Sequence, residues 1–281
     1  MNIIEAVFLG IIQGITEFLP ISSTGHLTVA GQFMGLISPE NPERWTAFIA
    51  VIQLGTLVAT LIYFRKDIGN ILGDFFRDNL FQRKKYSQQS ENSKMGWLII
   101  IGTIPVVIFG HLLESTIEGA LTKNLHVIAS SLIILAIILA IAEKTAKFKK
   151  GMKDITIKDS IVIGIAQCLA LIPGSSRSGT TITGGLFMGL TRETAAKFSF
   201  LMGLPAVFGS GMIELFRSMD YLNETMVVNL IISTIVSGVC GYLAIDFLLK
   251  YLRKNSTFLF IYYRIAAGII ILIFLFTNII H

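Results

Sequence analysis

The amino-acid sequence predicts an all-α, polytopic membrane protein, and three observations lead to that prediction. The composition is apolar: 53% of the 281 residues are hydrophobic, 15% are charged, and the mean hydropathy is +0.71, far from the balance of a soluble domain. Several apolar runs reach the roughly 20 residues that a helix needs to cross the hydrocarbon. Two further apolar segments are interrupted in the middle by proline, serine and glycine.

Six stretches are long enough to cross the membrane. Because lipid cannot satisfy backbone N–H and C=O groups, each of them must be a helix. Their approximate ranges are residues 45–64, 96–113, 125–142, 196–216, 226–249 and 258–279. We therefore expect three crossings in each half of the chain.

The two interrupted segments precede these groups of three. Residues 2–36 are broken from Pro20 to Gly25, and residues 160–190 are broken from Pro173 to Gly179. The pieces on either side of the second break, and the piece after the first, are too short to cross alone. Both segments are therefore predicted to be re-entrant helix-turn-helix elements, which enter and leave on one face.

The basic residues give an orientation. Of the 23 Lys and Arg, 18 lie in four loops at 65–96, 143–158, 192–197 and 250–254. Loops rich in Lys and Arg are typically cytoplasmic, so the net charge of +5 is interpreted as a sign of topology and not of nucleic-acid binding. The first re-entrant segment then opens to the extracytoplasmic side, and the second opens to the cytoplasm.

The two halves are related to each other. The pattern of Gly10, Gln13 and the Pro20 break recurs about 154 residues later, at Gly164, Gln167 and the Pro173 break. Three crossings per half is an odd number, so the second half must be inserted upside down, as in inverted-repeat membrane proteins whose broken helices meet near the midplane. We expect one membrane domain, residues 1–281, with repeat one at about 1–150 and repeat two at about 151–281.

The first break combines an acid, hydroxyls and a histidine. Glu17 follows Gln13 by four residues, so both lie on one helix face. A carboxylate among apolar residues at membrane depth costs about 2.5 to 3.5 kcal/mol and tends to mark function. Proline ends the helix, and three hydroxyl residues follow it: Ser22, Ser23 and Thr24. Their side chains can cap the next helix or bind an anion at its N-terminus. His26 lies in the first turn of that helix.

The second break carries an arginine. Gly174 lets the backbone turn tightly, and the hydroxyls of Ser176, Ser178 and Thr181 surround Arg177. The planar guanidinium suits phosphate oxygens. Two interpretations stay open: Arg177 binds an anionic ligand, or it forms a salt bridge with Glu17 from the other repeat.

Other charged residues in or near the apolar segments are given structural roles. Asp246 and Arg264 are expected to form an ion pair or to extend to the membrane surface. Glu143, Glu214 and His111 are expected to lie at the membrane interface.

At both breaks the sequence resembles a known family. The stretch from Gln13 to Glu17, running into Phe18-Leu-Pro-Ile-Ser-Ser-Thr-Gly-His26, and the stretch Pro173-Gly-Ser-Ser-Arg-Ser-Gly-Thr-Thr181 resemble the undecaprenyl pyrophosphate phosphatases of the bacitracin-resistance type. Both family patterns are met in full, with Gln at position 13, where the family also allows Glu. Chain length and hydropathy agree from end to end.

The resemblance implies an enzyme of the bacterial plasma membrane that hydrolyses undecaprenyl diphosphate to the monophosphate, recycling the lipid carrier of cell-wall synthesis and conferring bacitracin resistance. Its partners would be the polyprenyl diphosphate and the membrane, and a homodimer is left open. No cofactor is evident from the sequence, no metal ligand set is assigned, and a divalent cation, Mg²⁺ or Ca²⁺, is left open. The alternative is a transporter or flippase for undecaprenyl phosphate or another anion.

Within the enzyme interpretation we assign roles as a hypothesis. Arg177 clamps the diphosphate together with Ser176, Ser178, Thr181 and the two helix N-termini. Ser23 is the candidate nucleophile, Glu17 and His26 share the general base and acid roles, and Gln13 orients Glu17 or a water molecule. His26 or water as the nucleophile stays open.

Overall fold

A computed structural model describes residues 1–38, 40–113, 123–219 and 224–277. These ranges contain eleven α-helices and no β-strand, which confirms the all-α prediction. In chain order the helices are α1 Ile3–Phe18, α2 Ser23–Phe33, α3 Pro42–Tyr63, α4 Arg65–Phe76, α5 Glu91–Leu112, α6 Leu125–Thr145, α7 Ile157–Cys168, α8 Arg177–Phe187, α9 Arg192–Ser218, α10 Glu224–Leu252 and α11 Phe258–Phe276.

Six helices are long and apolar enough to cross a membrane, as predicted: α3, α5, α6, α9, α10 and α11. Their outward faces carry large apolar side chains such as Phe208, Leu243 and Tyr262, which are more than half exposed. An apolar outer surface of this kind is suited to lipid and not to water. The chain is therefore a multi-pass membrane protein.

Proline breaks the first interrupted segment as expected. Helix α1 ends at Phe18, and Leu19 is extended with ψ 139°, the conformation that a following proline imposes. In the second segment α7 ends at Cys168, a short 3₁₀ turn covers Leu169–Leu171, and Ile172 is extended before Pro173. Each break is followed by an eleven-residue helix, α2 or α8.

Small residues let the broken helices pack closely on spanning helices. Helix α1 lies along α10, and α7 lies along α5. A Cβ atom on Gly10 would be 2.7 Å from the backbone oxygen of Ser233, and one on Gly164 would overlap the backbone of Gly102. Close backbone approach through small residues is a common way of associating helices in lipid, and here it fixes both breaks in the interior.

A polar cluster lies outside the spanning helices, in the segment between α4 and α5. The buried carboxylate of Asp78 accepts hydrogen bonds from the backbone N–H of Ser90 at 2.8 Å and from Lys84 Nζ at 3.0 Å. The Ser90 bond in particular, with Lys84 and Arg77 nearby, lowers the pKa of Asp78 to about 2. This segment is thus a folded element tied to the start of α5.

Candidate active site

Glu17 lies at the centre of the hydrogen-bond network of the site. Its side chain, in the last turn of α1, is 5% exposed. Oε2 accepts hydrogen bonds from Ser23 Oγ at 2.8 Å, from Gln13 Nε2 at 3.0 Å and from Gln53 Nε2 at 3.2 Å. Three donors on one oxygen fix the orientation of the carboxylate and place it against the Ser23 hydroxyl.

Arg177 binds the other oxygen of the same carboxylate. Its NH2 atom lies 3.0 Å from Glu17 Oε1, and its NH1 donates to the carbonyl of Ser199 on α9 at 3.3 Å. The buried Nε has no hydrogen-bond partner among the described residues. The salt bridge with Glu17, one of the two interpretations of Arg177, is therefore present.

Serine caps the helix after each break, in an unusual backbone conformation. Ser22 has φ 78° and accepts a hydrogen bond from Gly25 N–H, while Ser176 has φ 68° and accepts one from Gly179 N–H. Positive φ at a non-glycine residue costs about 1 to 3 kcal/mol and is concentrated at functional sites. The two caps aim the positive ends of α2 and α8 at the region between the breaks.

A cavity of about 600 Å³ connects these groups. Its polar inner part contains Glu17, Ser23 and Arg177, and it extends along α3, α5 and α9 to residues near Trp45, His111 and Glu214. The outer part thus lies at the N-terminal end of α3 and at the C-terminal ends of α5 and α9. Apolar side chains between the two parts make the cavity suitable for an amphipathic ligand.

The remaining binding residues from the sequence fall into two groups. Ser22, Thr24, Gly174 and Ser176 line the cavity. Gln13 lies behind Glu17 and orients it. Ser178 and Thr181 are fully buried within the packing of α8, where they bond to Leu19 O and Ser199 Oγ; they support the turn and do not line the cavity.

His26 is not brought to the cavity. Its Nδ1 is 2.6 Å from the carbonyl oxygen of Ser22, and its Nε2 is 2.6 Å from the hydroxyl of Tyr263, on which the imidazole ring also stacks. The histidine therefore faces Tyr263 on α11 and does not line the cavity that Glu17 and Ser23 line. The expected convergence of acid, hydroxyl and histidine holds for Glu17 and Ser23 alone.

Arg264 is the main residue whose role the sequence prediction got wrong. It is fully buried and does not pair with Asp246, which instead binds Lys250 and Tyr63. Its NH2 donates to Ser175 O at 2.9 Å, and its NH1 lies 3.5 Å from Pro20 O. One guanidinium thus joins both breaks, a role that no local pattern in α11 indicates.

Three residues expected at the membrane interface lie near the ends of their helices and also contact other parts of the protein. Glu143 is buried and forms an ion pair with Arg192 and a hydrogen bond with Thr257. His111 and Glu214 line the outer part of the cavity. Gln53 was missed altogether, because a single glutamine inside an apolar helix gives no sign of its partner Glu17.

The described residues contain no group of three or more His, Cys, Asp or Glu side chains placed to hold a metal ion.

Six helices able to span a membrane define an integral membrane protein. Three of them, α3, α5 and α9, line a cavity that also contains a carboxylate, a serine and an arginine from the two breaks, a set of groups suited to an anionic headgroup. Residues 6–270 match the family model described as bacitracin resistance protein BacA. The chain belongs to this family.

Similar proteins cover almost the whole chain. One from Syntrophobacter fumaroxidans is 53% identical over 268 residues, covering 95% of both chains. One from Chloroherpeton thalassium is 50% identical, covering 97% of this chain and 96% of its own. One from Prosthecochloris aestuarii is 48% identical over the same shares. All three are named undecaprenyl-diphosphatase.

Proposed function

We propose that the pair Glu17 and Ser23, with Arg177, is the catalytic centre of the phosphatase activity that this family carries. The chain hydrolyses undecaprenyl diphosphate to undecaprenyl phosphate and inorganic phosphate, and resistance to bacitracin is a property of the family. The observation that carries the assignment is the 2.8 Å hydrogen bond from Ser23 Oγ to Glu17 Oε2, which joins a nucleophile to a base.

In the first step Ser23 Oγ attacks the terminal phosphorus. The Oγ–P bond forms as the P–O bond to the bridging oxygen breaks, and the hydroxyl proton passes to Glu17. The leaving group is the prenyl monophosphate. Arg177 and the N-termini of α2 and α8 stabilise the charge that spreads over the phosphoryl oxygens.

In the second step water hydrolyses the phosphoserine. The water oxygen bonds to phosphorus as the P–Oγ bond breaks, Glu17 returns its proton to the serine oxygen, and the two protons of the water leave with inorganic phosphate. Ser23 and Glu17 are thereby restored to their starting states. Arg177 pairs with Glu17 in the structure and exchanges this contact for phosphate oxygens when the substrate binds. Ser23 is preferred over His26 as the nucleophile because His26 faces Tyr263.

The inverted repeat is part of this proposal. Ser22 and Ser176 are 154 residues apart and share cap geometry and positive φ. Helix α1 packs on α10, the second crossing of the second half, and α7 packs on α5, the second crossing of the first half. Both relations support two re-entrant segments related by a twofold axis in the membrane plane, with Ser23 and Arg177 at equivalent positions.

The orientation follows from the basic loops. The outer part of the cavity lies at the helix ends next to loops with few basic residues, so we infer that the site opens to the extracytoplasmic side. Labelling of a cysteine introduced at Glu214 with a membrane-impermeant maleimide in intact cells tests this. Labelling only after the membrane is permeabilised would reverse the orientation.

Phosphate release by the purified protein from a polyprenyl diphosphate tests the activity, with Arg177→Ala and Glu17→Ala for comparison. Loss of release in both variants is expected, and phosphate trapped on Ser23 after rapid acid quenching would identify the nucleophile. Unchanged turnover in Ser23→Ala would overturn that assignment. A wild type that moves lipid without releasing phosphate would favour the transporter alternative.

Two points are proposals in their own right. A divalent cation, Mg²⁺ or Ca²⁺, is proposed to accompany the diphosphate, and phosphate release with and without EDTA tests it. A homodimer is proposed as the oligomeric state, and the mass of the detergent-solubilised protein by light scattering tests that.

A further inference from the structure

Gln167 carries a buried amide that faces the cavity. Its side chain, in the last turn of α7, is 1% exposed and lines the cavity. Within the part of the chain that the structure describes, neither Oε1 nor Nε2 has a hydrogen-bond partner. An unsatisfied buried amide is costly to a folded protein, and each one in a native structure calls for an explanation.

The internal repeat supplies a reason. Gln167 is the counterpart of Gln13, 154 residues earlier, and Gln13 donates to Glu17 at 3.0 Å. The position that corresponds to Glu17 in the second segment is Leu171, which cannot accept a hydrogen bond. Gln167 therefore has the placement of Gln13 without its carboxylate, so its amide is available to something in the cavity.

We propose that Gln167 binds the phosphoryl group that remains on the lipid. This inference rests on the proposed function, which places the terminal phosphoryl group at Ser23. Helix α7 packs mainly on α5 and α8, so Gln167 enters the cavity from the side of the second segment, whereas Glu17 and Ser23 enter from the first. When a diphosphate occupies the cavity, its terminal phosphoryl group lies at Ser23 and its inner phosphoryl group lies on the side of Gln167.

The chemistry of the amide fits this role. Nε2 donates to a non-bridging oxygen of the inner phosphoryl group, and Oε1 accepts from a water molecule of the headgroup. A hydrogen bond to an ionised acceptor is stronger than one between neutral groups. The amide carries no charge, so it adds affinity for the lipid phosphate without competing with Arg177 for Glu17.

Gln167→Met tests the proposal, because methionine keeps the length of the side chain and removes both polar atoms. We expect the KM for a polyprenyl diphosphate, and the inhibition constant of the product-like polyprenyl monophosphate, to rise about tenfold, the effect of losing one hydrogen bond to a charged group. Inhibition by inorganic phosphate, which occupies the terminal position, should stay within about twofold. The melting temperature without ligand should be unchanged or higher, since an orphaned buried amide has been removed.

Other outcomes contradict the assignment. Unchanged inhibition by the monophosphate would show that Gln167 does not contact the lipid phosphate, and equal weakening by inorganic phosphate would place it at the terminal group. Gln167→Glu keeps the shape and adds repulsion, so it should weaken monophosphate binding further. If both variants melt much earlier than the wild type, Gln167 has a structural role and the proposal fails.

Gln13→Leu is the matched control. It removes the equivalent amide in the first segment, which orients Glu17, so kcat should fall while inhibition by the monophosphate is retained. Stabilisation of the protein by the monophosphate, followed by melting temperature, needs no turnover. This binding measurement therefore still tests the role of Gln167 if the wild type releases no phosphate. That absence of phosphate release would refute the proposed function and not the binding role of Gln167.

Discussion

Glu17→Gln and Ser23→Ala, made singly and together, test whether the two residues act as one unit. The amide introduced by Glu17→Gln keeps the size of the carboxylate and can still accept from Arg177. It is no longer a base for the Ser23 hydroxyl, which lies 2.8 Å from the carboxylate in the wild type. Removing the base and removing the nucleophile should therefore disable the same chemical step.

The size of the effect follows from that geometry. Positioned general acid-base catalysis contributes about 10² to 10⁴ in rate, and at 1.36 kcal/mol per factor of ten this is about 3 to 5 kcal/mol of barrier. We expect Glu17→Gln to lower kcat by about 10³. The double variant should be about as slow as the slower single variant, because residues of one catalytic unit are strongly non-additive.

The assay is phosphate release in detergent at saturating substrate, with kcat and KM determined for all four proteins. Fold is checked by melting temperature. If the loss of kcat in the double variant equals the product of the losses in the two single variants, Glu17 and Ser23 do not act as one unit. A Glu17→Gln protein with wild-type kcat would lead to the same conclusion.

Three further predictions concern two residues near this unit and one in the polar cluster between α4 and α5. Arg264→Lys should lower kcat by about tenfold or more and lower the melting temperature, because a single ammonium cannot reproduce the guanidinium contacts with both breaks; wild-type values for both would contradict the bridging role. Gly203→Ala should raise KM, since a Cβ atom there would overlap the guanidinium of Arg177, and binding of inorganic phosphate by the variant checks this. The pKa of Asp78 is lowered from 3.8 to about 2, so its stabilising effect is present above pH 3.8 and is lost as the pH falls towards 2. Asp78→Asn should lower the melting temperature at neutral pH and flatten its fall over that acidic range; an equally steep fall in the variant would assign the acid sensitivity to other groups.

The local features of the site were predictable from sequence. Pro20 and Pro173 are each followed by serines and a glycine, and this combination favours a helix end and a capped turn. Proline alone does not decide this, since Pro105 and Pro205 lie inside α5 and α9. The contact between Glu17 and Arg177 was also foreseen as one of two alternatives, since two opposite charges at membrane depth seek each other. The structure has both the ion pair and an Arg177 Nε that no described residue binds.

The direction of side chains around a helix was less predictable. Ser23 and His26 are three residues apart, and sequence spacing alone places them on neighbouring parts of α2. Only the packing of α11 shows that His26 turns to Tyr263 while Ser23 turns to Glu17. The role of Arg264 was mispredicted for a related reason. Its partners are backbone carbonyls 89 and 244 residues away in sequence, and because every residue has a backbone carbonyl, the sequence does not indicate which ones Arg264 binds.

By itself the sequence determined the class of protein, the number of crossings, the two breaks and the residues Glu17, Ser23 and Arg177, because apolar length, proline and buried charge act through local physics. The tertiary structure decided which of these groups meet. It placed Gln53 on Glu17, joined both breaks through Arg264, turned His26 away and left Gln167 facing the cavity with no partner among the described residues. Those contacts depend on how helices distant in sequence rotate and pack against one another, and no local pattern encodes that rotation.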